Sequence, residues 1–115
     1  QIEEDIRNLI EWFDAMNRSD PSFRIFKGIE SDIQPDGRLD YNDATLESFD
    51  FVIAAVHSGF GMSAADMTAR ILKALENRHT TILAHPTGRL LLAREPYAVE
   101  LERVIDAAAS LGKVI

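Results

Sequence analysis

Two of the chain's three histidines occupy similar settings. Phe51-Val52-Ile53-Ala54-Ala55-Val56-His57-Ser58-Gly59-Phe60 is an apolar, partly β-branched run that ends in a histidine followed by small residues. Thr80-Thr81-Ile82-Leu83-Ala84-His85-Pro86-Thr87-Gly88-Arg89 repeats the pattern. A third run, Phe23-Arg24-Ile25-Phe26-Lys27-Gly28-Ile29-Glu30, closes on a carboxylate. Glu30, His57 and His85 follow one another at nearly equal intervals, each about the length of one βα unit. In a parallel sheet all C-terminal strand ends lie on one side, and ligands gather there. Two imidazoles and a carboxylate, with no thiol available, form a donor set for Zn²⁺, Mn²⁺ or Fe²⁺. A lone histidine at a strand end more often caps or hydrogen-bonds; three donors in register favour a metal site.

The loops after the two histidines add chemistry. Glycines in Ser58-Gly59-Phe60-Gly61 would let backbone approach a ligand. Arg89 is placed to meet a phosphate as a fork-shaped donor, or else to pair with a surface carboxylate. His79, beside Arg78 at a helix C-terminus, reads as a solvated cation. Asp32 reads as a loop aspartate, with support of a metal ligand as the alternative. Arg94 and Glu95 read as solvent-facing, and Asp36, Asp40, Asp43 and Asp50 as turn and cap residues. Trp12 and Phe13 read as helix packing. A serine nucleophile has little support, because Ser58 and His57 are adjacent and would point to opposite faces of a strand. There is no phosphate-binding glycine loop.

These side chains need a frame. Residues 2–17 show helical apolar spacing at Ile2, Ile6, Leu9, Ile10 and Phe13, with Glu3, Glu4 and Asp5 at the favourable end of the helix dipole. Asn17 to Pro21 stop that helix. Residues 23–30 are the first expected strand, with Gly28 marking a close backbone approach. Pro35-Asp36-Gly37 is a turn, and Ile33 to Leu39 a small hairpin or excursion. Asn42 or Asp43 caps a short helix through Phe49. Residues 51–57 are a strand whose near-continuous apolar content argues for burial on both faces. Ser63 to Asp66 resembles a capping box for a helix to Asn77, with Met67, Ile71, Ala74 and Leu75 inward. Residues 80–85 are the third strand. Pro96 suits the first turn of a last helix, with Leu101, Val104, Ile105 and Ala108 inward and Gly112 as its stop. Lys113 begins a fourth strand. The alternation predicts an α/β fold of parallel strands joined by helical crossovers.

The bulk properties narrow the class. At 115 residues and 46% hydrophobic, the chain suits one domain with a core. Its net charge of -7 disfavours a broad electrostatic grip on nucleic acid, though metal ions or a few arginines could hold a polyanion locally. It has no cysteine, no secretory pattern and no membrane-length apolar run, which suits a cytoplasmic protein without membrane partners. Both ends read as abrupt, which suggests an excerpt of something longer.

Gly28-Ile29-Glu30, Val56-His57-Ser58-Gly59-Phe60 and Leu83-Ala84-His85-Pro86-Thr87-Gly88-Arg89-Leu90 resemble successive motifs of the PHP (polymerase and histidinol phosphatase) superfamily. The nearer match is to the PHP domain at the C-terminus of bacterial and archaeal family X DNA polymerases. Asp36-Gly37-Arg38-Leu39-Asp40-Tyr41, the helix from Met67-Thr68 to Leu75-Glu76-Asn77, and Arg94-Glu95-Pro96-Tyr97 support it. The resemblance implies part of a distorted seven-stranded βα barrel, TIM-like, with residues 1–115 as the central portion of the domain. It implies a multinuclear cluster of divalent ions, Mn²⁺ or Zn²⁺, with Glu30, His57 and His85 as ligands. It also implies metal-dependent phosphoester hydrolysis at DNA ends, as a 3′–5′ exonuclease or 3′-end processing activity in repair, with a polymerase domain in cis. A lapsed scaffold domain and a free-standing histidinol-phosphatase-like phosphomonoesterase are the alternatives. The family's His-x-His near its start and Asp-x-His near its end are both missing from this sequence. The chain alone is therefore expected to hold an incomplete cluster, to be weakly active at most, and to carry strand edges open to a partner or to self-association.

Overall fold

A computed structural model describes all residues, 1–115. The chain is α/β. Helix α1 (Ile2–Ser19) leads to strand β1 (Gly28–Asp32), short helix α2 (Asp43–Glu47) and strand β2 (Phe51–Ala55). Helix α3 (Ala64–Glu76), strand β3 (Ile82–Leu83) and helix α4 (Leu101–Leu111) complete it. The three strands form one parallel sheet in the order β1-β2-β3. No helix is long and apolar enough to cross a membrane.

The first strand begins later than its apolar run suggests. Pairing starts only where β2 offers a partner, at Gly28 against Phe51. Residues 23–27 are held instead by side chains. Asn17 bonds both backbone groups of Ile25, and Asp50 accepts from the Lys27 amide. The Phe51 ring lies where a Cβ on Gly28 would sit, so the close approach at this glycine is made by a side chain rather than by backbone. The Ile33–Leu39 excursion closes as an antiparallel bridge around the Gly37 turn (φ +86°), and Gly37 packs against Lys73 of α3.

The core lies between one face of the sheet and the pair α3 and α4. Val52, Ala54 and Val56 meet Met67, Ile71, Ala74 and Leu75, with Val104 and Ala108 behind. Ser63 caps α3 by accepting from the Asp66 amide, and Asn42 caps α2 by accepting from the Thr45 amide. The last helix starts at Leu101 rather than Pro96, because residues 87–100 are tied elsewhere. The Tyr97 amide bonds the Thr87 carbonyl, and the Glu100 amide bonds the Thr68 hydroxyl. Ile105 faces outward. The expected fourth strand is a single parallel bridge, Val114 to Ile82. Helix α1 buries none of its residues; Ile2, Leu9 and Trp12 are each more than half exposed.

Candidate metal centre

Alternation along the strands sets the site. Ser31 on β1 and Ile33 just past its end turn into the core, so Glu30 and Asp32 share the opposite face. The register puts Glu30 opposite Ile53 and Asp32 opposite Ala55, so His57 falls on that same face. His57 and His85 each stand two residues beyond the last residue of β2 and β3. Glu30 lies inside β1, which runs on to Asp32, rather than at its end. At His85, two residues past the end of β3, the backbone takes a left-handed conformation (φ 31°).

The three sequence-predicted donors converge. One ligand-type atom from each of Glu30, His57 and His85 lies within 4.8 Å of the others. His57 Nε2 is 2.7 Å and His85 Nε2 3.5 Å from Glu30 Oε1, and the imidazole centroids are 5.3 Å apart. Ligands on one ion at bonds of about 2.0–2.2 Å sit about 3–4 Å from each other, so small side-chain adjustments suffice. The donor set, nitrogen and oxygen without sulfur, fits Zn²⁺ or Mn²⁺.

Asp32 has a more specific position than a solvated loop carboxylate. Its Oδ1 meets His57 Nδ1 directly. A carboxylate accepting from Nδ1–H fixes the tautomer and leaves Nε2 free to ligate. Asp32 is itself held, because Asp40 accepts from its amide at 2.9 Å and from the Ser31 hydroxyl at 2.6 Å. The hydrogen bond between Asp32 and His57 Nδ1, with the field of Asp32 and Glu30, raises the His57 pKa above its ordinary value, against the opposing effect of desolvation. In the metal-free chain His57 therefore holds a proton more tightly than a free imidazole.

Behind the site are residues that the sequence reading passed over. Arg70, 2% exposed, projects from α3 to the Ile33, Gln34, Ser58 and Gly59 carbonyls. Its position within the inward stripe between Met67 and Ile71 was the available signal. Arg94 is not solvent-facing. Its guanidinium lies 4.3 Å over the Phe60 ring and donates from Nε to the Gly88 carbonyl at 2.7 Å. Phe60 stacks on Tyr97 (6.1 Å), whose ring fills the space beside Gly88. Burial pushes the Tyr97 hydroxyl up to about 12, so it stays protonated. These contacts join the loop after His57 to the loop after His85.

Arg89 is exposed and forms no ion pair with a surface carboxylate. His79 differs from the solvated cation expected. Its side chain is 11% exposed, Nε2 is buried without a hydrogen-bond partner, and Asp43 Oδ1 is 3.6 Å away. It lies at the opposite end of the sheet, before β3, and belongs to no metal-type cluster.

No family model matches the chain. Individual proteins do. The DNA polymerase/3'-5' exonuclease PolX of Bacillus subtilis is 45% identical over 95 residues, covering 83% of this chain and 17% of the relative. A probable phosphatase of Caldanaerobacter subterraneus is 32% identical over 95 residues, covering 79% of this chain and 35% of that protein. Another, of Syntrophotalea carbinolica, is 34% identical over 95 residues, covering 80% and 37%. The chain thus spans about a sixth of the first relative and about a third of the other two. By these relationships the chain is PHP-like.

Proposed function

We propose that residues 1–115 are the central portion of a PHP domain, a TIM-like distorted (βα)7 barrel that hydrolyses phosphoesters with divalent metal ions. The single observation carrying this reading is the convergence of Glu30, His57 and His85 within 4.8 Å on one face of a parallel sheet. Glu30 supplies an anionic oxygen between two imidazoles. Asp32 holds the His57 ring so that Nε2 points at the shared space. Arg89, exposed just after the loop whose Gly88 amide bonds the His85 carbonyl, takes a phosphate oxygen of the substrate. A divalent cation, Mn²⁺ or Zn²⁺ and part of a multinuclear cluster, supplies the charge that acidifies water and neutralises phosphoryl oxygens. The further ligands come from outside this sequence.

The substrate we favour is a DNA 3′ end, processed as by a 3′–5′ exonuclease in repair, with a polymerase domain in cis. The higher identity to PolX than to the probable phosphatases supports that choice. Absence of cysteine suits a cytoplasmic setting. The phosphatase relatives favour a second reading, a small phosphomonoester as substrate. The test uses the full-length protein, titrated with Mn²⁺ and Zn²⁺ and assayed on a 3′-recessed DNA duplex and on p-nitrophenyl phosphate. Metal-dependent release of nucleotides, lost in Glu30→Gln, is the expected result. Cleavage of the monoester alone selects the second reading. No metal binding, or binding that survives Glu30→Gln unchanged, refutes the site.

A further inference from the structure

Arg70 is a buried charge whose partners are carbonyls and the Met62 sulfur rather than carboxylates. Nε donates to Gln34 O at 3.0 Å and Ile33 O at 3.2 Å, Nη1 to Ser58 O at 3.0 Å and Gly59 O at 3.4 Å, and Nη2 also to Ile33 O. Burying a guanidinium is costly unless its donors are satisfied, and an apolar residue would pack on this stripe of α3 without that cost. What the guanidinium adds is reach. Its planar fork bonds two separate segments at once, which a lysine ammonium on a flexible stem does not reproduce.

Those two segments carry site residues. The Ile33 carbonyl directly follows Asp32, and the Ser58 carbonyl directly follows His57. Gly59 comes so close that a Cβ there would meet Nη1 at 3.1 Å, and its backbone is left-handed (φ +66°). On the open face Asp32 and His57 touch each other. On the core side one side chain holds both of their following carbonyls.

We infer that Arg70 is a positioning residue for the strand-end cluster, fixing the segment that carries His57 against the segment that carries Asp32. The inference rests on the metal reading above and assigns Arg70 no contact with metal or substrate. Its consequence is that losing the fork weakens metal affinity out of proportion to any loss of stability.

The experiment compares Mn²⁺ affinity, by calorimetry, with thermal unfolding in the full-length protein. Arg70→Lys keeps the charge and loses the fork. Arg70→Ala opens space for added guanidinium. Ile71→Val, one residue along in the same core, serves as the stability reference. Arg70→Lys is expected to fold and to bind Mn²⁺ about tenfold to a hundredfold more weakly, the range seen when support of a ligand is removed. Millimolar guanidinium, but not urea, is expected to restore affinity to Arg70→Ala. Ile71→Val is expected to lose some stability and keep its affinity. Unchanged affinity in Arg70→Lys overturns the inference, as does an equal loss in Ile71→Val. If neither Arg70 variant folds, Arg70 is a fold residue only and the inference is again overturned. Failure of the unsubstituted protein to bind Mn²⁺ is a different result, because it removes the metal reading itself and this inference with it.

Discussion

At the C-terminal end of the sheet, His57 is 40% exposed and each of its ring nitrogens meets a carboxylate, Glu30 on one side and Asp32 on the other. At the opposite end, His79 is nearly buried, and its Nε2 has only Asp43 beyond hydrogen-bond range. The residue type is the same and a carboxylate is near in both cases. The difference is the direction from which the neighbours arrive. At the upper end three strands deliver donors to one face of the sheet. At the lower end His79, just after α3, lies near Asp43 at the start of α2, and no second imidazole or carboxylate completes a set. Position on the sheet separates a candidate ligand from a packing residue.

The comparison breaks most visibly if the ends are exchanged in mutation. Glu30→Gln or His57→Ala in the full-length protein is expected to lower metal-dependent hydrolysis by about a thousandfold, the scale of several kcal/mol of metal assistance. His79→Ala is expected to leave metal affinity unchanged; a comparable loss there would erase the distinction. Asp32→Asn comes next, because it keeps the shape but lets the amide present its NH₂ to Nδ1. Metal affinity measured by titration should fall about 10–100-fold. At the lower end the effect is on stability. His79→Ala leaves a small cavity and should cost about 1–2 kcal/mol in denaturant unfolding, whereas His79→Leu removes an unpartnered polar atom and should be neutral or slightly stabilising.

The smallest effect is that of pH on the metal-free chain. The folded-state pKa of His57 lies above its ordinary value of 6.5. Its contribution to stability is therefore fully present below that value and is lost as pH rises through the raised folded pKa. The side chain is substantially exposed, so solvent screening keeps the contribution small. Metal binding as proposed is expected to run the other way and strengthen as pH rises, since a ligating imidazole must shed its proton. The stabilisation that Mn²⁺ adds, read as the difference between thermal unfolding with and without the ion, should therefore grow as pH rises through this range. His57→Gln should remove this proton-linked part of the slope in the metal-free protein, while His79→Gln should leave it in place.

Helices show where local patterns stop being informative. Both α1 and α3 read as amphipathic, yet α3 buries Met67, Ile71, Ala74 and Leu75 as its spacing predicts, while α1 buries nothing. Periodicity states which face is apolar; it does not supply the surface that covers it. The same limit explains Ile105, which carries the right spacing on α4 and faces outward. Pro96 carries a valid signal for a first helical turn, but Tyr97 and Glu100 were already committed to bonds with Thr87 and Thr68.

The sequence by itself determined the order of elements and the α/β class, and it marked Glu30, His57 and His85 as candidates, because strand and helix periods are local and strands alternating with helical crossovers run parallel. Glu30, His57 and His85 were readable as a set for that reason. Only the tertiary structure decided what supports them. Asp32 belongs with His57 because β1 runs two residues past Glu30 and pairs in a register that no single strand encodes. Arg70 reaches two loops from a helix that follows both in sequence, and Arg94 lies over Phe60 from across a third loop. Contacts between segments distant in sequence depend on how the layers stack, and that is settled by packing of the whole chain rather than by the pattern of any part.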